Sequence, residues 1–299
     1  MKKISFEIII SWFLKDFWKI CIVFVLSSIL AVVVALSIPN KYSSRAVLVS
    51  NLGEGKAISG ALASLGGLAS MAGISLGGDE LNAEVLREIM TSDSFLAGFL
   101  RSEQLSSIVM AAEGYDVNTN EFILDDEIYD AEAGVWVREV KFPATQEPNE
   151  AELAEKFKES FSAAYERKNQ LVTVSLTSYS PYFARETLTK LVDYFNLYMR
   201  EQEIQKYSQS VSYLNEQLET AAVVEVRTAI QKVLEDQLKQ LALASTREDY
   251  AFRVIESPMV PYQKSEPRRA VICVVIAVGL TLLFIFIFWT IRAFRGKDY

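Results

Sequence analysis

The side chains of this sequence that could do chemistry are mostly carboxylates, because its 299 residues include 38 acidic residues and no histidine. Without histidine, serine–histidine and cysteine–histidine nucleophilic schemes are excluded, as are zinc sites that contain histidine. The two cysteines, Cys21 and Cys273, each lie within a long apolar run. An enzyme built on this chain would therefore have to use carboxylates or lysine.

Paired carboxylates could hydrolyse a glycan if two of them lay about 5 to 9.5 Å apart across the scissile bond. The candidate pairs are Glu186 with Asp193 and Glu201 with Glu203. Both pairs lie on a segment with the pattern of a helix surface and no recognisable pocket, which favours solvated side chains. We therefore predict no catalytic residues and a chain that is not an enzyme.

A glycine-rich stretch, residues 57–78 (AISGALASLGGLASMAGISLGG), could hold a phosphate or cross a membrane. The phosphate-loop pattern is missing, because the pair Gly55–Lys56 lacks both the upstream glycine and the following hydroxyl. A third membrane span is disfavoured, since each glycine weakens a helix by about 1 kcal/mol relative to alanine. We expect a loop, or a small-residue helix packed closely on a neighbour, and we predict no cofactor.

An acidic cluster within residues 125–132 could suggest calcium, but a calcium loop needs D-x-[DN]-x-[DN]-G and a distal glutamate. That register is missing, so residues 113–132 are expected to be a solvated acidic loop without a metal site. We predict no metal ligands in the chain.

Two apolar runs without a charge dominate the ends of the chain: Ile20 to Ile38 and Ala270 to Ile291. A helix rises about 1.5 Å per residue, so each run spans roughly 30 Å, the thickness of a hydrocarbon core. Trp18 and Trp289 lie near their borders, where such rings favour the headgroup region. A cleavable signal peptide is the alternative for the first run, but no A-x-A-like site follows it. We predict two membrane helices.

Charge then predicts the orientation of the chain. The tails, residues 1–19 and 292–299, carry a net charge of +4. Because the whole chain has a net charge of −8 and the two runs are uncharged, residues 39–269 carry a net charge of −12. Basic tails favour the cytoplasm, although five basic residues flank the spans on the opposite side. Residues 39–269 are therefore expected on the opposite side of the membrane, between spans at 20–38 and 270–291. Their acidity argues against nucleic acid as a partner.

The central module should be a small α/β layer. Strands are predicted at Tyr42–Ser50, Gly134–Phe142 and Gln170–Ser178, the last with clean alternation. Short helices are expected between Asp79 and Arg101, with Asp93 as an N-cap. A further helix should start after Asn149 and bury one face, formed by Leu153, Phe157, Phe161 and Ala164.

A long helical arm is predicted over about residues 181–246. Its first helix runs from about Pro181 to Glu219, and four apolar residues in its second half step by 4, 3 and 4 like a coiled-coil seam: Tyr207, Val211, Leu214 and Leu218. A second helix, about Val223 to Ala244, should return to the base after a reversal near Glu219–Glu225. The seam needs a partner, either this returning helix or a neighbouring subunit.

The returning arm leads to a strand (YAFRVIESP) and then to a proline strap, in which Pro258, Pro261 and Pro267 keep the chain extended. Arg268 and Arg269 follow where they could contact anionic lipid headgroups. The plainer interpretation is a proline-rich linker. The fold class is thus α+β: a membrane-proximal α/β base with a long protruding α-helical hairpin, flanked by two transmembrane helices.

The spans also carry stripes of small residues at intervals of four. They are Ser27, Ala31 and Ala35 in the first span, and Cys273, Ala277 and Thr281 in the second. Small residues let helices approach closely in lipid, so these six residues are candidates for a contact between the spans.

Taken together, these segments resemble the polysaccharide co-polymerase family, the Wzz-type chain length determinants. The resemblance covers nearly the whole chain: an N-terminal span, a strand near Tyr42, the stretch LASLGGLASMAG, a long arm, and YAFRVIESP followed by P-x-x-P-x(5)-P-R-R before a terminal span.

The resemblance implies a two-pass protein of the bacterial inner membrane whose main module, residues 39–269, lies in the periplasm. Such a protein forms homo-oligomeric rings and sets the chain length of O-antigen lipopolysaccharide or a related glycan. Its implied partners are a membrane polymerase, the growing glycan and membrane lipid. A co-polymerase for capsule or exopolysaccharide synthesis and export is the alternative. A Walker motif and a tyrosine-rich tail are missing from the sequence, so we expect no tyrosine kinase activity.

Overall fold

A computed structural model of the chain describes residues 6–51 and 83–295. The glycine-rich stretch 57–78, for which a loop is expected, lies outside the described residues. In chain order the elements are α1 (Phe6–Ser37), β1 (Tyr42–Ser50), α2 (Ala83–Met90), α3 (Asp93–Ser102), α4 (Ser106–Ala111), β2 (Ala112–Asp116), β3 (Glu121–Leu124), β4 (Tyr129–Asp130), β5 (Val135–Trp136), α5 (Glu150–Lys158), β6 (Phe161–Glu166), β7 (Leu171–Ser178), α6 (Pro181–Thr220), α7 (Val224–Thr246), β8 (Phe252–Glu256) and α8 (Arg269–Arg295).

The chain divides into two compact units, one formed by Met1–Tyr42 with Gln263–Tyr299, the other by Ser43–Tyr262. The first unit contains α1 and α8, which pack against each other. Each has a stretch long and apolar enough to cross a membrane, Trp18–Ser37 and Arg269–Phe288. Both helices also extend beyond the apolar runs into segments expected to be tails.

The second unit is built on a four-stranded sheet with the strand order β6–β7–β1–β8. The pairs β6–β7 and β1–β8 are antiparallel, and a register shift between Val47 and Leu48 interrupts the latter. The strands predicted at β1 and β7 are confirmed. The alternation of β7 places Val172, Val174 and Leu176 on the buried side, as the period of two requires.

One core lies between this sheet and the helices around it. The core includes Leu48 of β1, Phe99 of α3, Phe157 of α5 and Phe195 of α6, all fully buried. Aromatic rings connect the helices, since Phe95 contacts Phe195 edge-on with ring centroids 5.2 Å apart. The mixed fold of helices and sheet with an apolar helix at each end is therefore confirmed.

Residues 113–132 are not the continuous acidic loop that the sequence suggested. They form the hairpin β2–β3 and the strand β4, which pairs with β5. Two acidic side chains at strand ends bond to the turns that follow them: Asp116 accepts a hydrogen bond from the amide of Asn118, and Asp130 accepts one from the amide of Glu132. These side chains satisfy turn amides, so acidity here marks turns between short strands.

The strand predicted at Gly134–Phe142 is also wrong beyond Trp136. Arg138 instead fixes an irregular segment, because its guanidinium donates to the carbonyls of Thr145 and Gln146 and pairs with Glu152. Side-chain hydrogen bonds from Arg138 to nearby carbonyls thus take the place of the backbone hydrogen bonds that a paired strand would make.

The helix after Asn149 forms as predicted, and the Asn149 side chain accepts a hydrogen bond from the amide of Glu152 at 3.0 Å. The helix ends at Lys158, however, and Phe161 begins β6, so Phe161 and Ala164 do not belong to the face of that helix. Helix α3 likewise begins at Asp93 after Ser92, which takes the N-cap position predicted for Asp93.

The two helices α6 and α7 form the predicted hairpin. Ser180 caps α6 and Pro181 follows at its first position, a combination that favours helix initiation. The chain reverses at residues 221–223, within the predicted range. The buried residues of α6 end at Glu203, so its second half packs only partially, against α7.

Candidate functional site

The contact between α1 and α8 is made by the small residues singled out in the sequence. The hydroxyl of Ser27 lies 3.3 Å from the carbonyl of Ala277 and 3.4 Å from the hydroxyl of Thr281. The thiol of Cys273 lies 3.7 Å from the carbonyl of Ala31. Ala35 is also buried. Small side chains bring the backbones together, and hydroxyls then bond across the interface.

A backbone bridge joins the ends of these helices. The amide of Lys41 donates to the carbonyl of Glu266 at 2.9 Å, and the amide of Ser265 donates back to the carbonyl of Lys41 at 2.9 Å. Pro267 follows this bridge and precedes α8. The later part of the strap is therefore hydrogen-bonded to the segment that leaves α1.

The two arginines of the strap occupy different environments. Arg269 donates to the side chain of Asn40 at 3.1 Å and lies 3.5 Å from the carbonyl of Ile38. Its Nε is buried, with no hydrogen-bond partner among the described residues. Arg268 is exposed. Arg269 therefore links the start of α8 to the segment that follows α1.

The earlier prolines of the strap lie in the second unit. Pro258 and Pro261 follow β8 in an extended segment, as proline requires. The hydroxyl of Ser44 in β1 donates to the carbonyl of Met259 at 2.9 Å. This bond keeps the start of the strap beside β1.

The predicted seam residues Tyr207, Val211, Leu214 and Leu218 are all half-buried. The half-buried residues of α7 recur at matching intervals: Ile230, Leu234, Gln237 and Leu241. Because α6 and α7 pack against each other, the returning helix covers the seam. This packing favours the returning helix over a neighbouring subunit as the partner of the seam.

A second row of apolar residues on α7 remains exposed, and we call Val226, Ala229 and Val233 the outer stripe. The two valines are 49% and 48% exposed. Their intervals of three and four residues place them on one side of the helix, next to the face that packs on α6.

Sequence reasoning missed the residue that fixes α6 to the sheet. Asn196 is buried, and its side chain donates to the carbonyl of Phe252 at 2.8 Å and accepts from the amides of Ala251 and Phe252 at 3.0 and 2.8 Å. A polar side chain between Phe195 and Met199, both on the buried face, is the signal that could have revealed it. Asn196 thereby positions the hairpin against β8.

A second missed cluster lies where α6 leaves the core. Glu203 is buried and pairs with Lys206 at 3.4 Å. Burial raises the pKa of the nearby Tyr207 phenol, and the negative charge of Glu203 raises it further. Burial also raises the pKa of Tyr250, with the charge of Glu203 adding to the effect. Both phenols therefore remain neutral donors at physiological pH.

The four candidate carboxylates lie in different environments. Glu186 pairs with Lys190 at 3.4 Å, and Glu201 is exposed while Glu203 is buried in its own ion pair. Burial, with a smaller contribution from the charge of Asp249, raises the pKa of the Asp193 carboxyl. Within residues 6–51 and 83–295, no group of three potential metal ligands comes together.

A family model described as Wzz, chain length determinant protein, matches residues 2–103. The match confirms the resemblance to the Wzz-type family. It covers α1, β1, α2 and α3, about a third of the chain, and leaves the arm and the strap outside.

Two solved structures are also similar over long alignments. One is a full-length bacterial polysaccharide co-polymerase, 12% identical, covering 95% of this chain and 98% of that chain with a TM-score of 0.35. The other is a fragment of WzzB, a polysaccharide co-polymerase from Salmonella Typhimurium, 14% identical, covering 76% and 100% with a TM-score of 0.33. No curated protein matches the chain.

Proposed function

We propose that this chain is a non-catalytic regulator of polysaccharide chain length, for O-antigen lipopolysaccharide or a related surface glycan. It acts as an oligomeric scaffold in the periplasm on a membrane polymerase. The observation that carries this proposal is the match of residues 2–103 to the chain length determinant family. The pair of apolar helices that anchors both ends of the chain supports it.

The proposed orientation places both tails in the cytoplasm of a bacterial inner membrane. Its support is the excess of basic residues in the tails, which the positive-inside rule favours on that side. The absence of cysteine from residues 39–269 suits an oxidising compartment.

The proposed oligomer is supported by the outer stripe. The coiled-coil-like seam of α6 is already covered by α7, so an additional helix would have to dock elsewhere on the hairpin. The exposed Val226 and Val233 offer an apolar surface at helical spacing for such a helix from a second copy. A ring requires that the stripe of one copy dock on a different surface of the next copy, because only such a head-to-tail contact repeats around a closed ring.

A scaffold role is also supported by the state of the carboxylates. Catalysis on a glycan needs one carboxyl that is protonated and one that is ionised at a short distance across a bound sugar. The acids of α6 are instead exposed or paired with lysine, as for Glu186 with Lys190 and Glu203 with Lys206. Regulation by shape and assembly requires none of them.

The test is to delete the chain from its host and separate the surface glycans by size on a gel. Loss of the modal length, with a shift to short and randomly distributed chains, is expected, and expression of the chain in trans should restore it. Staining lipopolysaccharide, capsule and exopolysaccharide separately identifies the glycan. Unchanged length distributions for all three would contradict the proposal.

A further inference from the structure

The proline strap, residues 258–269, presents large side chains to its surroundings. Tyr262 is 92% exposed and Met259 is 67% exposed, and the prolines around them keep the segment extended. Tyr262 precedes Ala270, the first residue of the second apolar run, by eight residues. A tyrosine has an apolar ring and a polar hydroxyl, a combination that favours the boundary between lipid and water. An uncovered amphipathic side chain therefore lies a short way along the chain from a membrane helix.

Hydrogen bonds hold the strap on both sides of this tyrosine. The hydroxyl of Ser44 donates to the carbonyl of Met259 at 2.9 Å. On the other side, the backbone bridge from Lys41 to residues 265–266 is reinforced by the hydroxyl of Ser265, which donates to the carbonyl of Lys41 at 3.1 Å. Because the segment is fixed at both ends, a partner that binds it has less conformational entropy to remove.

The bridge also keeps the strap within a short distance of the predicted spans. Lys41 follows Ile38, the last residue of the first apolar run, by three residues, and Tyr262 precedes Ser265 by three residues. Three residues of extended chain cover at most about 10 Å. The headgroup region on each side of a hydrocarbon core is roughly 5 to 8 Å thick. The chain therefore tethers Tyr262 within reach of the headgroup region.

The charge of the strap suits an anionic surface. Residues 258–269 carry a net charge of +2, from one acidic and three basic residues: Glu266, Lys264, Arg268 and Arg269. Residues 39–269 as a whole carry −12. Lys264 and Arg268 are exposed, and a basic residue near an anionic membrane surface contributes about 1 kcal/mol of attraction. The strap is thus a basic, amphipathic segment of an acidic module, and lipid headgroups match both of its properties.

We propose that the strap makes a peripheral contact with the lipid bilayer, in which Tyr262 places its ring in the headgroup region and Lys264 contacts anionic headgroups beside it. The bilayer is the partner because the chain tethers the strap close to both spans and the charge of the strap is opposite to that of anionic lipid. The contact fixes the height of the strap above the hydrocarbon core. This inference requires that α1 and α8 cross a membrane, and it is independent of the proposed role in polysaccharide length.

The test measures the depth of the Tyr262 position in the full-length protein, in nanodiscs of mixed neutral and anionic phospholipid. Cys21 and Cys273 are replaced by alanine, and a nitroxide is attached to Tyr262→Cys. Its accessibility to a water-soluble nickel complex should be at least about threefold lower than that of the same label on Tyr213→Cys, because the headgroup region excludes the complex. Tyr213 is the matched control, an exposed tyrosine on α6, 61% exposed.

A second measurement needs no substitution. Hydroxyl-radical footprinting of the unaltered protein in the same nanodiscs should oxidise Tyr262 more slowly than Tyr213, although Tyr262 is the more exposed of the two side chains in the chain itself. In the labelled protein, Lys264→Glu should raise the accessibility of position 262 to nickel. Lys239→Glu, at an exposed lysine on α7, is the control for this change and should not raise it.

Three results would overturn the inference. The first is equal accessibility of the labels at positions 262 and 213, and the second is equal oxidation of the two tyrosines. The third is protection of Tyr262 that persists in amphipol, where no lipid headgroups are present, because a neighbouring protein surface would then cover the strap. Surface glycan length in the deletion strain reports separately on the proposed function, so either idea can fail while the other stands.

Discussion

The two halves of α6 carry similar apolar side chains but are buried by different amounts. From Ala184 to Met199 the apolar face lies in the core beneath the sheet. Beyond Glu203 the face formed by the seam residues is only half-buried, against one helix. The first half is held by packing from many elements, and the second half only by α7.

This difference in burial separates residues that stabilise the fold from residues that remain accessible to partners. A substitution in the first half should cost stability throughout the second unit, because its core is shared. A substitution in the second half should affect the hairpin alone. The exposed outer stripe lies on α7, the helix that packs against this second half, and is the surface that the proposed assembly would use.

The largest effect is expected for Asn196→Ala in the first half. The change leaves the buried amides of Ala251 and Phe252 without their acceptor, which should lower the free energy of unfolding by about 3 kcal/mol. Denaturant unfolding of the protein in detergent measures it. Asn215→Ala, at an exposed asparagine in the second half, is the matched control and should change the stability little. Equal losses in both variants would remove the distinction between the halves.

A smaller and more local effect is expected for Leu214→Asp in the second half. A charge in the half-buried seam should open the end of the hairpin, so its amides should lose at least about tenfold in protection from hydrogen exchange. The amides of β7 should keep their protection.

Val233→Asp, on the outer stripe, is the counterpart to Leu214→Asp. It should leave the hairpin protected but weaken cross-linked oligomers. Opening of the hairpin by Val233→Asp, or intact oligomers in that variant, would show that the stripe has been misassigned.

The elements that could be predicted from sequence are those with a strong period or a strong cap. Alternation placed β7 within one residue, and the apolar runs, the Asn149 cap and the hairpin were placed well because local physics decides them. Strands of four to six residues could not be predicted in this way. The strands β2 and β6 are short, and pairing with a neighbouring strand decides their conformation.

Candidate sites divide in a similar way. The small residues of the spans could be singled out from spacing, because close helix packing in lipid depends on residue size. The bonds of Asn196 and the environment of Asp193 involve β8 and residue 249, more than 50 positions away in the chain. Such contacts depend on the tertiary fold, and no local sequence pattern predicts them.

The first half should also show a pH-dependent stability, at Asp193. Its raised pKa means that the carboxyl contributes most stability when protonated, below its unfolded value near 4, and loses it as the pH rises through the folded value. At pH 7 Asp193→Asn should therefore raise the unfolding temperature, and the gain should vanish near pH 3. Asp249→Asn, which removes only the neighbouring charge, should give a smaller change of the same sign. A gain that persists at pH 3 would contradict the assignment.

The smallest effect is expected in the other unit, where the helices meet through small residues. Replacing Thr281 by valine keeps the shape but removes the hydroxyl 3.4 Å from Ser27, which should weaken the association of the two helices by about 0.6 kcal/mol.

Disulfide trapping checks the geometry of this helix contact more directly. With Cys21 replaced by alanine, Cys273 should cross-link to a cysteine introduced at Ala31, whose carbonyl it contacts, and not to one at Val32, which is exposed on α1. Equal cross-linking at the two positions would mean that the helices rotate freely, and the small residues would then no longer define a specific contact.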